Sequence, residues 1–181
     1  MTRLAEWSVS RWFNSREPLT LAGLRGKVVL IHAFQMLCPG CVVKATPQAQ
    51  RVFEIFRGSR LQVVGLHTVF EHHAAMNEGA LEAFIHEFKV TFPVGVDRPG
   101  RGSLPETMER YALRGTPSTL LVDAEGNLRR HLFGIHDDLL LGAEIGGLLA
   151  EAEVGASSAA TAGVAQGSCA VGDGCRPIVG E

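Results

Sequence analysis

Apolar and polar positions along the chain alternate between short β-like runs and blocks of helical period. Val28-Val29-Leu30-Ile31-His32-Ala33-Phe34 is an almost unbroken apolar run rich in β-branched residues, the pattern of a strand buried on both faces. Gly23 and Gly26 punctuate its approach. Pro39 cannot continue a strand but suits a first helical turn, which predicts a helix starting at Cys38. Leu61–His67 reads as a second strand. Gly79–Lys89 places Leu81, Phe84, Ile85 and Phe88 at helical spacing. Pro93–Val96 suits a brief strand and Pro105–Leu113 a short helix. Ser118–Asp123 and Leu128–Gly134 flank Ala124-Glu125-Gly126-Asn127, a hairpin signal, and Asp137–Glu153 forms a closing helix. Strand and helix alternate up to the hairpin. The order predicts an α/β fold, a mixed central sheet flanked by helices with a parallel core and an antiparallel hairpin at one side.

Composition changes sharply after Glu153, where Ala, Gly and Ser dominate. Such a stretch buries too little surface to offset its ordering entropy, so residues 154–181 read as a flexible tail behind a single domain over 1–153. The 181 residues are 46% hydrophobic and 20% charged, enough apolar content for one real core. Neither Val28–Ile31 nor Leu139–Leu141 approaches the length of a membrane span. A formal charge of -2 gives no general attraction for nucleic acid or anionic lipid, so neither is expected as a partner. The opening residues Met1–Trp7 hold no apolar core of a secretory signal, and a cytoplasmic location is the expectation.

A cytosolic setting keeps thiols reduced, so the four cysteines read as redox groups or metal ligands rather than staples. They fall into two pairs, Cys38/Cys41 and Cys169/Cys175. The first is a C-x-x-C at the junction of a buried strand and a helix. Unpaired N–H groups and the helix dipole there stabilise a thiolate. Cys38, at the exposed end, is the expected nucleophile, and Cys41, one turn in, the resolving thiol. Arg114-Gly115-Thr116-Pro117-Ser118 precedes an apolar strand. Pro117 lacks an N–H, which leaves the Thr116 backbone free to pair with an extended substrate.

These segments resemble the thioredoxin-like superfamily, in particular its redoxin and thiol–disulfide reductase branch, related to cytochrome-maturation thioredoxins. The likeness rests on Leu24–Leu30, Cys38-Pro39-Gly40-Cys41, Phe92–Asp97, Tyr111–Pro117 and Leu121–Gly126, in that order, with Trp12-Phe13-Asn14 similar to the branch's N-terminal segment. It covers roughly residues 8–153. The resemblance implies a thioredoxin fold, a cis-Pro117 facing the active site and dithiol–disulfide exchange. It implies no dissociable organic cofactor. The partners would be a disulfide-containing protein or small-thiol substrate and a reducing dithiol.

Three positions depart from the family pattern. Leu37 replaces the usual Trp before the first cysteine, His32 stands where thioredoxins carry a buried acid, and Lys44 replaces a Glu common after the second cysteine. His32, which titrates near neutrality when unperturbed, is therefore a candidate proton acceptor for Cys41, or else a core histidine. Two alternatives use the same residues. A peroxiredoxin-like reading takes Cys38 as peroxidatic with Arg114 nearby, but Gln35 occupies the place of the catalytic Thr. A copper- or soft-metal-handling reading uses Cys38, Cys41 and a histidine, with His67, His72 and His73 clustered around Glu71. Glu71, following the second strand, is an auxiliary candidate at the active-site face. The Val154–Ser168 linker reaches roughly 20 Å as a random coil. Cys169 and Cys175 could then meet Cys38 as a relay, clip a soft metal, or be incidental.

Overall fold

The computed structural model describes residues 2–164, with side chains through Ser157. Six strands form one sheet: β1 (Val9–Phe13), β2 (Val28–Phe34), β3 (Leu61–His67), β4 (Val94–Asp97), β5 (Ser118–Val122) and β6 (Leu128–Phe133), in the spatial order β1-β4-β3-β2-β5-β6. β2, β3 and β4 run parallel, and β5, β6 and β1 pair antiparallel with their neighbours. Four helices complete the fold: α1 (Thr46–Ile55), α2 (Glu78–Glu87), α3 (Glu106–Arg110) and α4 (Asp138–Val164). The expected mixed sheet flanked by helices is the observed one.

The period-2 alternation of a strand splits β2 between two cores. Val28, Leu30 and Phe34 join Leu81, Phe84, Ile145 and Leu148 on one face. Val29, Ile31 and Ala33 join Leu120, Val122, Met108 and Tyr111 on the other. This is why the segment reads as continuously apolar: all seven residues of β2 are buried. The parallel strands end at one sheet edge, and β5 begins there, so the loops after β2, β3 and β4 and the loop before β5 share that edge. Asp97 ties three of these segments together. Its carboxylate accepts the Thr107 and Met108 N–H groups (2.8 and 3.0 Å), capping α3, and the Thr68 hydroxyl (3.0 Å).

Three elements differ from the sequence pattern. β1 is an additional edge strand, antiparallel to β4, whose Ser10 and Arg11 are exposed. The helix after Cys38 opens at Pro39 and Gly40 and then passes through a π-helical turn at Cys41–Ala45. Thr46 N–H bonds to the Cys41 carbonyl there, and Pro47, lacking an N–H, follows at once. The missing donor favours accommodating one extra residue at this point. Finally, α4 continues eleven residues past the expected end at Glu153. Its packed stripe, Leu141, Ile145, Leu148 and Ala152, stops there, and Val154 is exposed. Beyond that point the backbone stays helical to Val164 through an alanine-rich stretch, and Ala is the strongest helix former. The remaining tail, with Cys169 and Cys175, lies outside the described residues.

Gly65 sits in β3 where strands and rings crowd. A Cβ there would lie 2.8 Å from Phe92 Cε2 and 3.1 Å from Val94 Cγ2, both in fully buried side chains. Gly65→Ala is expected to destabilise the fold by about 1–3 kcal/mol, read as a lower urea midpoint at unchanged slope. An unaltered midpoint would mean that the core yields there.

Candidate active site

The dithiol sits where β2 gives way to helix. Cys38 N–H donates to the Gln35 carbonyl (3.2 Å) and Val42 N–H to the Cys38 carbonyl (3.0 Å), which closes the loop and starts the helix. Cys38 is half-buried and Cys41 fully buried, and the two are unbridged. Cys41 N–H donates to Cys38 Sγ (3.3 Å). Cys38 Sγ–H in turn reaches the Thr116 carbonyl (3.5 Å). The Thr116–Pro117 peptide is cis, and the Pro117 ring lies against Gly40.

Burial pushes the Cys41 thiol up to about 12, and its hydrogen bond with Cys38 adds to the rise. The two sulfurs therefore differ in character: one accessible beside a backbone donor, the other held protonated in a low-dielectric layer.

The contact between Gln35 and Thr116 has no local sequence signal. Gln35 is 1% exposed, and its side-chain amide reaches Thr116 Oγ1 (3.5 Å) across 81 positions of sequence. Only the tertiary pairing of β2 with β5 brings them together. The surroundings form an open groove of about 390 Å³, lined by Leu37, Cys38, Phe70, Glu71, Thr116 and Phe133 among others. Leu37 and Phe133 are more than half exposed there, an apolar rim around a reactive sulfur.

The other sequence candidates separate. Glu71 does line the groove. Arg114 is exposed with its guanidinium over the Phe133 ring at 5.8 Å. The hydrogen-bond partners of Cys38 Sγ are the Thr116 carbonyl and Cys41 N–H rather than an arginine.

His32 is fully buried. Its Nε2 bonds to Thr46 Oγ1 (3.0 Å) and its ring stacks on Phe34 at 5.2 Å. Burial lowers its pKa to about 3, so it stands as a neutral core histidine beneath the site. The three clustered histidines part company. His72 lines the groove, while His67, buried against Phe34, and His73 line a second cavity. Among the described residues, no group of three His, Cys, Asp or Glu side chains is placed to hold a metal ion.

No family model matches the chain. The fold nonetheless superposes on a crystal structure of a thioredoxin-like superfamily protein with a TM-score of 0.81 and 56% identity, covering 82% of this chain and 97% of that one. A thiol-disulfide isomerase from Corynebacterium glutamicum gives 0.77 and 49%, covering 81% and 95%. The DipZ protein of Mycobacterium bovis is 29% identical over 131 residues, 71% of this chain but 18% of DipZ, so the chain spans under a fifth of that relative's length. The chain belongs to the thioredoxin-like superfamily. The sporulation thiol-disulfide oxidoreductase A of Bacillus subtilis is similar too, 26% identical over 110 residues, 61% of each chain. Among the described residues, no helix is long and apolar enough to cross a membrane.

Two measurements check the electrostatics. Iodoacetamide at about pH 8 is expected to alkylate Cys38 of the reduced protein and spare Cys41. Peptide mapping that found both modified equally would contradict the burial argument. His67, like His32, is lowered by burial, to about 4. Between those values and about 6.5, the unfolded chain takes up protons on both histidines that the folded chain refuses. Stability is therefore expected to fall as pH drops from about 6.5 to about 5, by about 1 kcal/mol per pH unit for each histidine. Denaturant titrations across that range, with the imidazole signals of both residues unmoved in the folded state, are the check.

Proposed function

We propose that the protein exchanges disulfides with protein or small-thiol substrates through Cys38 and Cys41. The observation that carries this reading is the asymmetry of the pair: an accessible sulfur at a helix start, one backbone donor aimed at it, and a second thiol buried behind it. The kinship with thiol–disulfide oxidoreductases supports it.

Cys38 thiolate attacks one sulfur of a substrate disulfide. An S–S bond forms to Cys38, and the substrate's second sulfur leaves as a thiolate that takes up a proton. Cys41, deprotonated, then attacks Cys38 Sγ and expels the remaining substrate thiolate. The substrate is reduced by two electrons, and the protein holds a Cys38–Cys41 disulfide. A partner dithiol or reductase restores the dithiol.

The order of steps follows from the causes of the Cys41 shift. While Cys38 is free, its hydrogen bond and charge help to keep Cys41 protonated. Once Cys38 is consumed in the mixed disulfide, both influences vanish, which eases the ionisation of a thiol that burial, the larger cause, still holds up. The Thr116 backbone, beside Cys38, is the edge on which an extended substrate docks. Leu37 and Phe133 supply apolar contact on either side.

Dithiothreitol-driven insulin reduction tests the assignment. Cys38→Ser is expected to lower turnover on the order of 10³-fold, and retained turnover would remove Cys38 from its role. Cys41→Ser is expected to accumulate a substrate mixed disulfide on Cys38, visible by mass. Failure to trap any adduct would place resolution elsewhere.

A further inference from the structure

Cys41 must ionise inside a buried layer to resolve a mixed disulfide, yet His32 beneath the site is neutral and bonded to Thr46. Two groups besides Cys38 act on the Cys41 sulfur by hydrogen bonding, the Gln35 backbone N–H and the Thr116 side chain. Both favour its charged form. Gln35 and Thr116 also border Cys38. The Gln35 carbonyl accepts Cys38 N–H (3.2 Å), and the Thr116 carbonyl accepts Cys38 Sγ–H (3.5 Å).

The Gln35 side chain acts on Thr116 in turn. Its amide nitrogen donates to Thr116 Oγ1 (3.5 Å). A hydroxyl whose oxygen accepts a hydrogen bond keeps its own proton free to donate elsewhere. The Cys41 sulfur is there to receive it. Gln35 holds this place against its own stability. It is buried, and its Oε1 has no hydrogen-bond partner. An unpaired buried carbonyl oxygen costs more than one ordinary hydrogen bond returns. An apolar side chain of similar length would fill the same space without that loss. Packing therefore does not account for an amide at this position. What the amide adds over methionine is the N–H directed at Thr116.

We infer that Gln35 is a positioning residue for the resolving step: its amide turns the Thr116 hydroxyl proton toward Cys41 Sγ, where it stabilises the thiolate that attacks Cys38. This role rests on the disulfide exchange proposed above. The Cys41 proton passes to solvent. The Cys41 thiolate forms the S–S bond to Cys38 Sγ, and the bond between Cys38 and the substrate sulfur breaks with its electron pair leaving on the substrate.

Stopped-flow reaction of the reduced full-length protein with equimolar dithiobis(nitrobenzoate) tests this. Cys169→Ser and Cys175→Ser are carried throughout, so that the Cys38/Cys41 pair alone reports. The first thionitrobenzoate released marks attack by Cys38, and the second marks resolution by Cys41. Thr116→Val keeps the backbone and the branched shape but removes the hydroxyl. Gln35→Met keeps the volume but removes the amide. Each is expected to lower the ratio of second-phase to first-phase rate on the order of tenfold at about pH 7. Each is also expected to raise the pH at which the second phase is half-maximal by about one pH unit. Thr116→Ser is expected to keep the original profile. The double variant is expected to be no slower than Thr116→Val alone, because Gln35 acts through that hydroxyl. Gln35→Met decides even if Thr116→Val does not fold. An unchanged ratio and pH profile in Gln35→Met, or additive losses in the double variant, would overturn the positioning role and leave the exchange intact. Parent protein that released no second thionitrobenzoate would overturn the exchange itself, and the positioning role with it.

Discussion

Antiparallel pairing of β2 with β5 is the constraint on which the site rests. Ala33 lies opposite Ser118 and His32 opposite Thr119, so the chain leaving β2 and the chain entering β5 meet at one edge. A few residues of loop on each side then suffice to set Cys38 and Gln35 beside Thr116. A register slip of one residue would turn every β2 side chain to the other face. His32 would lose Thr46 and enter the apolar layer of Leu120 and Val122, while Ile31 took its place. Because both faces of β2 are buried, the register is fixed by packing throughout its length. The reactive loop inherits that precision without needing many contacts of its own.

The polar groups under the dithiol follow from the same burial. A histidine in place of an acid leaves no fixed negative charge beneath Cys41. His32 stays neutral and serves as a hydrogen-bonded spacer between β2 and α1. The nearest acid that lines the groove, Glu71, is exposed on a loop rather than embedded in the sheet. The chemistry of the pair is thus governed by solvent access and by the two sulfurs' effect on each other, more than by a dedicated proton relay.

Much of this was legible from the chain itself. β2 and β3 declare themselves through apolar, β-branched runs, and the hairpin through its turn residues. Cys38, Cys41, Thr116 and Pro117 stand in motifs whose spacing matches their chemistry. β1 escaped because an edge strand with exposed Ser10 and Arg11 has only a weak alternating signal. The full length of α4 escaped because its burial stripe ends at Ala152 while its alanines continue the helix. Gln35 and Phe133 join the site through contacts across the sheet, which no local window contains. His67, His72 and His73 misled by their proximity. Three imidazoles within seven positions suggest one cluster, but the first lies at a strand end and the others in a loop whose two sides face different spaces.

The π turn at Cys41–Ala45 has a consequence for how the helix is phased. One extra residue rotates everything after it by about 100° relative to an uninterrupted α-helix. The segment before the turn is oriented by the loop that holds Cys38. The segment after it is oriented by the core, where Ala49 and Val52 pack and Thr46 meets His32. A continuous helix would have to satisfy both demands with one angular setting. The inserted residue uncouples them, so the angle at which Cys41 approaches Cys38 is an independent variable of the fold. Deleting one residue from the turn would restore regular helix geometry while setting the dithiol and the core at odds.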